Sequence, residues 1–263
     1  MSRLRRAVVG LIGVAALYGV LAYVVLPLAW THYEHQKGLA SLDMVTRTAQ
    51  GIPGDPINVG LVGSKADVLC AMNAAGWYPA DPITLRTSIE IVGSVLLDRP
   101  YRHAPVSSLF YQGRREDLAF EKPIGTSADR RNHVRFWEVL KQGDEGRAVW
   151  LGSATLDRGV GLSHDTGQIT HHIASDIDAE RAVLGADLRA AKVVEANYEV
   201  TGIGPTFNGR NGGGDSYHTD GEIVMSRLVQ GCGSTVATAE RLENPAPVKV
   251  KNWLWHAIAR KFL

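Results

Sequence analysis

The feature that most constrains this chain is an apolar run from Ala7 to Trp30, 24 residues without one charged side chain. A helix rises ~1.5 Å per residue, so about 20 apolar residues cross a ~30 Å hydrocarbon core. The run is long enough to span, with Tyr18, Tyr23 and Trp30 suited to interfaces and Pro27 near its far end. The rival reading is a cleaved signal peptide, whose apolar core is usually only ~7–15 residues. The stretch VLPLAWTH offers no small-x-small cleavage pattern, so an uncleaved signal anchor is expected. Arg3, Arg5 and Arg6 precede the run, and the ten residues after it hold Lys37 as their one formal cation. The positive-inside rule then keeps the N-terminus cytoplasmic and places the remainder outside, in the periplasm of a Gram-negative cell.

The anchor leaves ~230 residues, enough for one large domain or two small ones. The expected division is 1–30 for the N-terminus and anchor, 31–56 for a juxtamembrane linker, 57–230 for the folded domain and 231–263 for a C-terminal extension. GIPGDP (Gly51–Pro56) breaks the chain, because paired prolines and glycines fit poorly inside regular structure. INVGLVG (Ile57–Gly63) reads as a buried strand. Ser64 and Asp67 have the spacing of a capping box for a helix through Ala75, with Ala66, Leu69, Cys70 and Trp77 as its apolar positions and Gly76 as its stop. A second helix is predicted over Thr84–Val95. The segments LFYQGR, DLAFEK, HVRFWEVL and AVWLGSATLD follow one another as strands with short connections, the pattern of an antiparallel sheet. Residues 176–191 switch to helical period, then Val193–Val200 and Glu222–Leu228 read as strands around a Gly/Asn-rich loop. The prediction is an α+β fold with one antiparallel or mixed sheet and two to three packed helices, preceded by a transmembrane helix.

The tail VKVKNWLWHAIARKFL sets Trp253, Leu254, Ile258 and Phe262 against Lys251, Arg260 and Lys261. Such an amphipathic helix can rest on a membrane surface or dock on the domain. The formal net charge of +1 gives no basic field for nucleic acid. An exported location permits a bond between Cys70 and Cys232, the two cysteines. Cys70 on an apolar helix face and Cys232 between two glycines nevertheless read better as a buried thiol and a loop thiol.

At LLDRPY, APVSSLFYQGRREDLAFEK, NHVRFW, VWLGSATLDRGVG and HDTGQITHHIASDIDAER the chain resembles the LssY C-terminal domain family. The resemblance runs from about Ile57 to Ala190, and less clearly to Val229. It implies a membrane-associated domain and carries no assigned reaction. In longer relatives the domain follows integral-membrane modules of the lipid-phosphatase and DedA types, which this chain lacks while keeping a single anchor.

Chemistry-bearing residues concentrate between Arg147 and Arg181. Zinc and other first-row ions take imidazole nitrogen and carboxylate oxygen converging on one point. Along an extended segment, residues of like parity share a face, which groups His172, Asp176 and Asp178 as metal ligands while His171 points away with Ile169 and Ile173. His164 in the preceding loop GLSHDTG can swing in as a further ligand, and His164 with Asp157 are the catalytic candidates. The competing reading makes Ser175 and Asp178 a capping box and Asp176 and Glu180 dipole partners of the next helix. A serine triad of Asp157, His164 and Ser163 or Thr166 lacks the G-x-S-x-G elbow.

A cationic set of Arg114, Arg115, Arg135 and Arg158, with Arg130 and Arg131 nearby, suits phosphate or carboxylate. The loop NGRNGGGD could add backbone N–H groups around an anion. Solvated ion pairing with Glu116, Asp117 and Asp129 is the plainer reading of several of these arginines. On the strand HVRFWEV, His133, Arg135 and Trp137 share one face. The expectation is a membrane-anchored extracytoplasmic domain that binds an anionic phosphate or lipid head group. The alternatives are a metal-assisted hydrolase holding a divalent ion and a non-catalytic module of an envelope complex. The expected partners are the membrane and a phospholipid or envelope protein, with no nucleic acid.

Overall fold

In a computed structural model, residues 3–25, 38–39, 41–80, 108–125, 130–164, 167, 169–200, 208–235 and 237–259 are described. Helix α1 (Arg3–Val20) continues through a π-helical turn at Leu21–Val25. The two form a 23-residue apolar helix, long and apolar enough to cross a membrane and with none of its side chains buried by the rest of the protein.

The domain opens with β1 (Val45–Arg47), β2 (Pro53–Pro56) and β3 (Val59–Val62). The stretch expected to be a linker thus already carries two strands. The prolines of GIPGDP do not break the structure, because β2 is the edge of a small sheet, where a missing N–H costs no ladder bond. Helix α2 (Lys65–Ala74) starts at the Ser64/Asp67 capping box that the spacing predicts. Its inner face is rotated from the expected one: Asp67, Val68, Ala71 and Met72 are buried, whereas Ala66 and Leu69 are exposed. The reason is polar. The Asp67 carboxylate accepts from Ser64 N and from Gly231 N at 2.9 and 2.7 Å, which pulls that side of the helix inward. There Cys70 and Cys232 form a disulfide, Cα atoms 5.3 Å apart, so the expectation of two separate thiols is corrected. The sequence hid this because 162 residues separate the two cysteines and only the folded chain brings α2 onto the turn Gln230–Cys232.

After β4 (Tyr78–Pro79), the helix predicted over Thr84–Val95 lies outside the described residues. Then come β5 (Phe110–Tyr111), β6 (Arg114–Arg115), β7 (Leu118–Pro123), β8 (Arg131–Leu140), β9 (Val149–Leu162) and β10 (Ile169–Ile173). Strands β7 to β10 are an antiparallel meander, as their alternation and short turns predict. Helix α3 (Ile177–Ala190) buries Ile177, Leu184 and Leu188 at helical spacing. It leads to β11 (Val194–Val200), β12 (Asn208–Arg210), β13 (Ser216–His218), β14 (Ile223–Leu228), β15 (Glu240–Arg241) and α4 (Ala246–Ala259).

The large sheet runs β15-β11-β14-β3-β9-β8-β7-β4, with β10 added beside β9. It is mixed, since β3 lies parallel to β14 and antiparallel to β9. Every residue of β3 is buried because both of its faces are covered. On one face α2 and α3 enclose Val68, Met72, Trp77, Phe136, Trp150, Leu184 and Leu188. On the other, the sheet β2-β1-β5-β6 closes over Tyr111, Trp137, Val149, Leu151 and Met225. The fold is α+β as expected, and what positions the site is that second face.

Candidate functional site

Strands β8 and β9 pair in the register Arg131 to Asp157, His133 to Thr155, Arg135 to Ser153 and Trp137 to Leu151. Alternate residues share a face. On the face toward the small sheet, Trp137 and Leu151 lie in the apolar core, while the other six make a buried polar ladder. The ladder backs a cavity of about 350 Å³ lined by Arg131, His133, Arg135 and Asp157, by Asp55 of β2, by Ser163, Thr170 and His171 around the β9–β10 turn, and by Asn211, Gly212 and Gly213.

Arg131 is 1% exposed, with acidic and imidazole partners on several sides. Its Nε donates to Asp157 Oδ2 at 3.1 Å, Nη1 pairs with Glu121 Oε2 at 3.2 Å, and Nη2 lies 3.1 Å from His171 Nε2. A guanidinium only donates, so His171 Nε2 accepts and its proton sits on Nδ1, 3.4 Å from Asp157 Oδ2. Burial, together with Arg131, pushes the His171 pKa down to about 4 against the pull of Asp157, leaving a neutral ring. His133 is the opposite case. Burial disfavours its charge, but Asp157 Oδ1 lies 2.9 Å from its Nδ1 and outweighs that, so its pKa is raised. Its Nε2 is 2.6 Å from Thr155 Oγ1. Burial alone would raise Asp157; His133, His171 and Arg131 reverse this and hold the carboxyl below the usual range. Asp55 behaves the same way, lowered against burial by His133, by Arg135 Nη1 at 3.4 Å and by Asn211 Nδ2 at 3.1 Å.

The glycine-rich loop departs from the expected anion nest. Asn211 Oδ1 accepts from Gly213 N and Asp215 N at 3.0 and 2.9 Å, so those donors are turned into the loop itself. Of the four arginines proposed as binding residues, Arg135 lines the cavity. Arg114 and Arg115 stand on β6, 50% and 56% exposed and paired with Asp117 and Glu116, and Arg158 is exposed on β9. The pairs of Arg114 and Arg115 are solvated surface pairs, worth little each.

The expected metal group also regroups. Asp176 is the N-cap of α3, accepting from Ala179 N at 3.0 Å. Asp178 accepts from Thr219 Oγ1 at 2.7 Å and from Asp220 N at 2.6 Å, with burial raising its pKa. Both carboxylates are thus committed to ordering the start of α3 and the turn beside it, and the Ser175/Asp178 box is replaced by an Asp176 cap. His164 and His172 do meet, their ring centroids 5.5 Å apart, and the carboxylate that joins them is Asp215. Asp157, proposed to work with His164, is instead surrounded by Arg131, His133 and His171.

Sequence reasoning passed over Asp55, Glu121 and Asp215 and set His171 aside. The polar alternation Arg131, His133, Arg135 ahead of Trp137 was a usable signal for the ladder. Nothing local marked Asp55 or Asp215, which reach their partners across 80 and 43 residues of chain.

The chain matches the family described as LssY C-terminus over residues 37–223. No curated protein and no solved structure matches it.

Proposed function

The chain belongs to the LssY C-terminus family, and from that premise we propose that it is an extracytoplasmic domain binding an anionic phosphate or lipid head group in the β8–β9 cavity. The family and the N-terminal apolar helix fit a membrane-anchored domain. The observation that carries the ligand reading is the placement of Arg131, His133 and Arg135 at alternate positions, all buried, along the wall of one cavity. Buried charges cost several kcal/mol each to desolvate, and apolar residues would fill such a space at no such cost. Guanidinium and imidazolium donors confined at low dielectric recognise phosphate oxygens more strongly than they would at the surface. Asp55, Asp157 and Glu121 hold the donors in place before a ligand arrives.

The Cys70–Cys232 bond supports an oxidising compartment, where disulfides persist. Helix α4 supports contact with the bilayer surface: Val248 is buried, whereas Val250, Trp253 and Leu254 are 58%, 68% and 46% exposed. An apolar face tipped with tryptophan seats well in the head-group region.

The test uses the full chain in detergent. Inorganic phosphate raises the melting temperature, and Arg135→Ala abolishes that rise while Arg158→Ala keeps it. Vesicles containing phosphatidylglycerol but not pure phosphatidylcholine recruit the protein if the source of the anion is a lipid. Absence of any phosphate response sinks the ligand reading. A reporter active only outside the cytoplasm, fused after Leu263, must be active; an inactive one sinks the placement.

A further inference from the structure

We propose that His164, His172 and Asp215 form a binding site for a first-row divalent cation such as zinc, which fastens the glycine-rich loop to the β9–β10 turn at the edge of the cavity. The three residues come from three places. His164 follows the end of β9, His172 lies on β10, and Asp215 ends the loop after β12. One ligand atom from each lies within 4.8 Å of the others. Around a tetrahedral ion with bonds of ~2.0–2.1 Å, ligand atoms sit roughly 3.3 Å apart, so side-chain adjustments of at most about 1.5 Å bring the three into place. Two imidazoles and one carboxylate are the donor set of zinc and its neighbours rather than of calcium or magnesium, which prefer oxygen alone. Three protein ligands leave a position for water.

Asp215 is already aimed. Its Oδ1 is 2.7 Å from His172 Nδ1, and its Oδ2 accepts from Ile173 N at 3.1 Å. His164 is brought alongside by its own backbone, whose N–H donates to Gly213 O at 3.0 Å. Two glycines make room for the two rings. A Cβ on Gly161 would stand 2.5 Å from His172 Nε2, and a Cβ on Gly214 would stand 2.6 Å from His164 Cβ. Gly214 also has φ +88°, a conformation that side chains with a Cβ rarely take. A hydrogen bond between His172 and Asp215 alone would need neither the exposed His164 nor the space cleared for it.

Because strands alternate, His172 points away from the cavity while His171 points in. The ion would therefore not touch the ligand. It would hold two walls together, since Ser163, Thr170 and His171 lie on one of the joined segments and Asn211, Gly212 and Gly213 on the other. Only this fastening role rests on the cavity reading; metal binding stands by itself.

The experiment takes the full chain in detergent, free of any affinity tag, stripped with chelator and titrated with cobalt(II) alone in phosphate-free buffer. One equivalent is expected to give visible d–d absorption that zinc abolishes by displacement. His164→Ala and Asp215→Ala each weaken binding at least tenfold, while His218→Ala leaves it unchanged. His164 is exposed, so its variant remains informative if Asp215→Ala fails to fold. No stoichiometric cobalt binding, or binding that survives His164→Ala, overturns the site. If cobalt binds but zinc leaves the phosphate response of the protein unaltered, the site stands and the fastening role falls.

Discussion

Arg135 and Trp137 are two residues apart on one face of β8, and both are buried, yet they belong to different kinds of interior. Around Trp137, the side chains of Tyr111, Val149 and Leu151 fill the gap between the sheets, and the indole N–H finds Arg114 O at 3.1 Å. Around Arg135 and Arg131 the same two layers stay apart over a cavity whose wall is charged. The apolar end needs only shape, because dispersion and exclusion of water stabilise it without directional demands. The polar end needs every charge matched, because one missing partner leaves a desolvated ion. An apolar interior and a charged one are thus separated along a single strand pair.

The sharpest way to break this contrast is to remove one charge. Asp157→Ala leaves Arg131 and His133 without their shared carboxylate and is expected to cost about 3–5 kcal/mol in denaturant unfolding. Trp137→Ala costs a comparable ~3–5 kcal/mol by cavity formation, but keeps the phosphate response that Asp157→Ala loses. Replacing the cluster together, as Glu121→Leu, Arg131→Met, His133→Leu and Asp157→Leu, should restore stability to within about 1 kcal/mol of the parent while phosphate binding stays lost. If that variant is as unstable as Asp157→Ala, the ladder is structural and the contrast collapses.

A smaller effect comes from Glu180, which α3 buries against the helix-covered face. It is 3% exposed, and its Oε1 has no hydrogen-bond partner among the described residues. Burial, with Asp187 and Asp157 adding to it, raises its pKa from 4.5 to about 7. The folded state therefore binds this proton more tightly than the unfolded chain. Its contribution is whole below pH ~4.5 and is lost as pH rises toward 7. Glu180→Gln removes the charge, so the variant should gain roughly 1–3 kcal/mol over the parent at pH 8 and little at pH 4.5. Equal differences at the two pH values would show that Glu180 ionises freely. The smallest change is expected at the surface. Arg114→Ala with Arg115→Ala should shift stability by less than ~1 kcal/mol and leave the phosphate response intact, since both side chains are largely exposed.

Much of the fold was legible because the signals are local. The Ser64/Asp67 box, the alternation through β7, β8 and β9, and the helical period from Ile177 to Leu188 each act within a few residues. The prolines of β2 misled because their meaning depends on whether a neighbouring strand needs their N–H, and an edge position removes that need. The inner face of α2 was misjudged because hydrophobicity marks Leu69, whereas the carboxylate of Asp67 is fixed by Gly231, 164 residues away. The site was legible only in part. The pairing of His164 with His172 is carried by a nearby turn, but the choice between Asp178 and Asp215 as their third member is not.

The sequence by itself determined an apolar helix able to cross a bilayer, a meander of antiparallel strands and the caps that start α2, because each follows from chain chemistry over one or two turns or strands. Tertiary structure decided which charges are buried together, which cysteines meet and which carboxylate faces the two histidines. Those outcomes depend on sheet order and on segments dozens of residues apart arriving at the same few ångströms, where the energy of a charge is set by its neighbours in space and not by its neighbours in the chain.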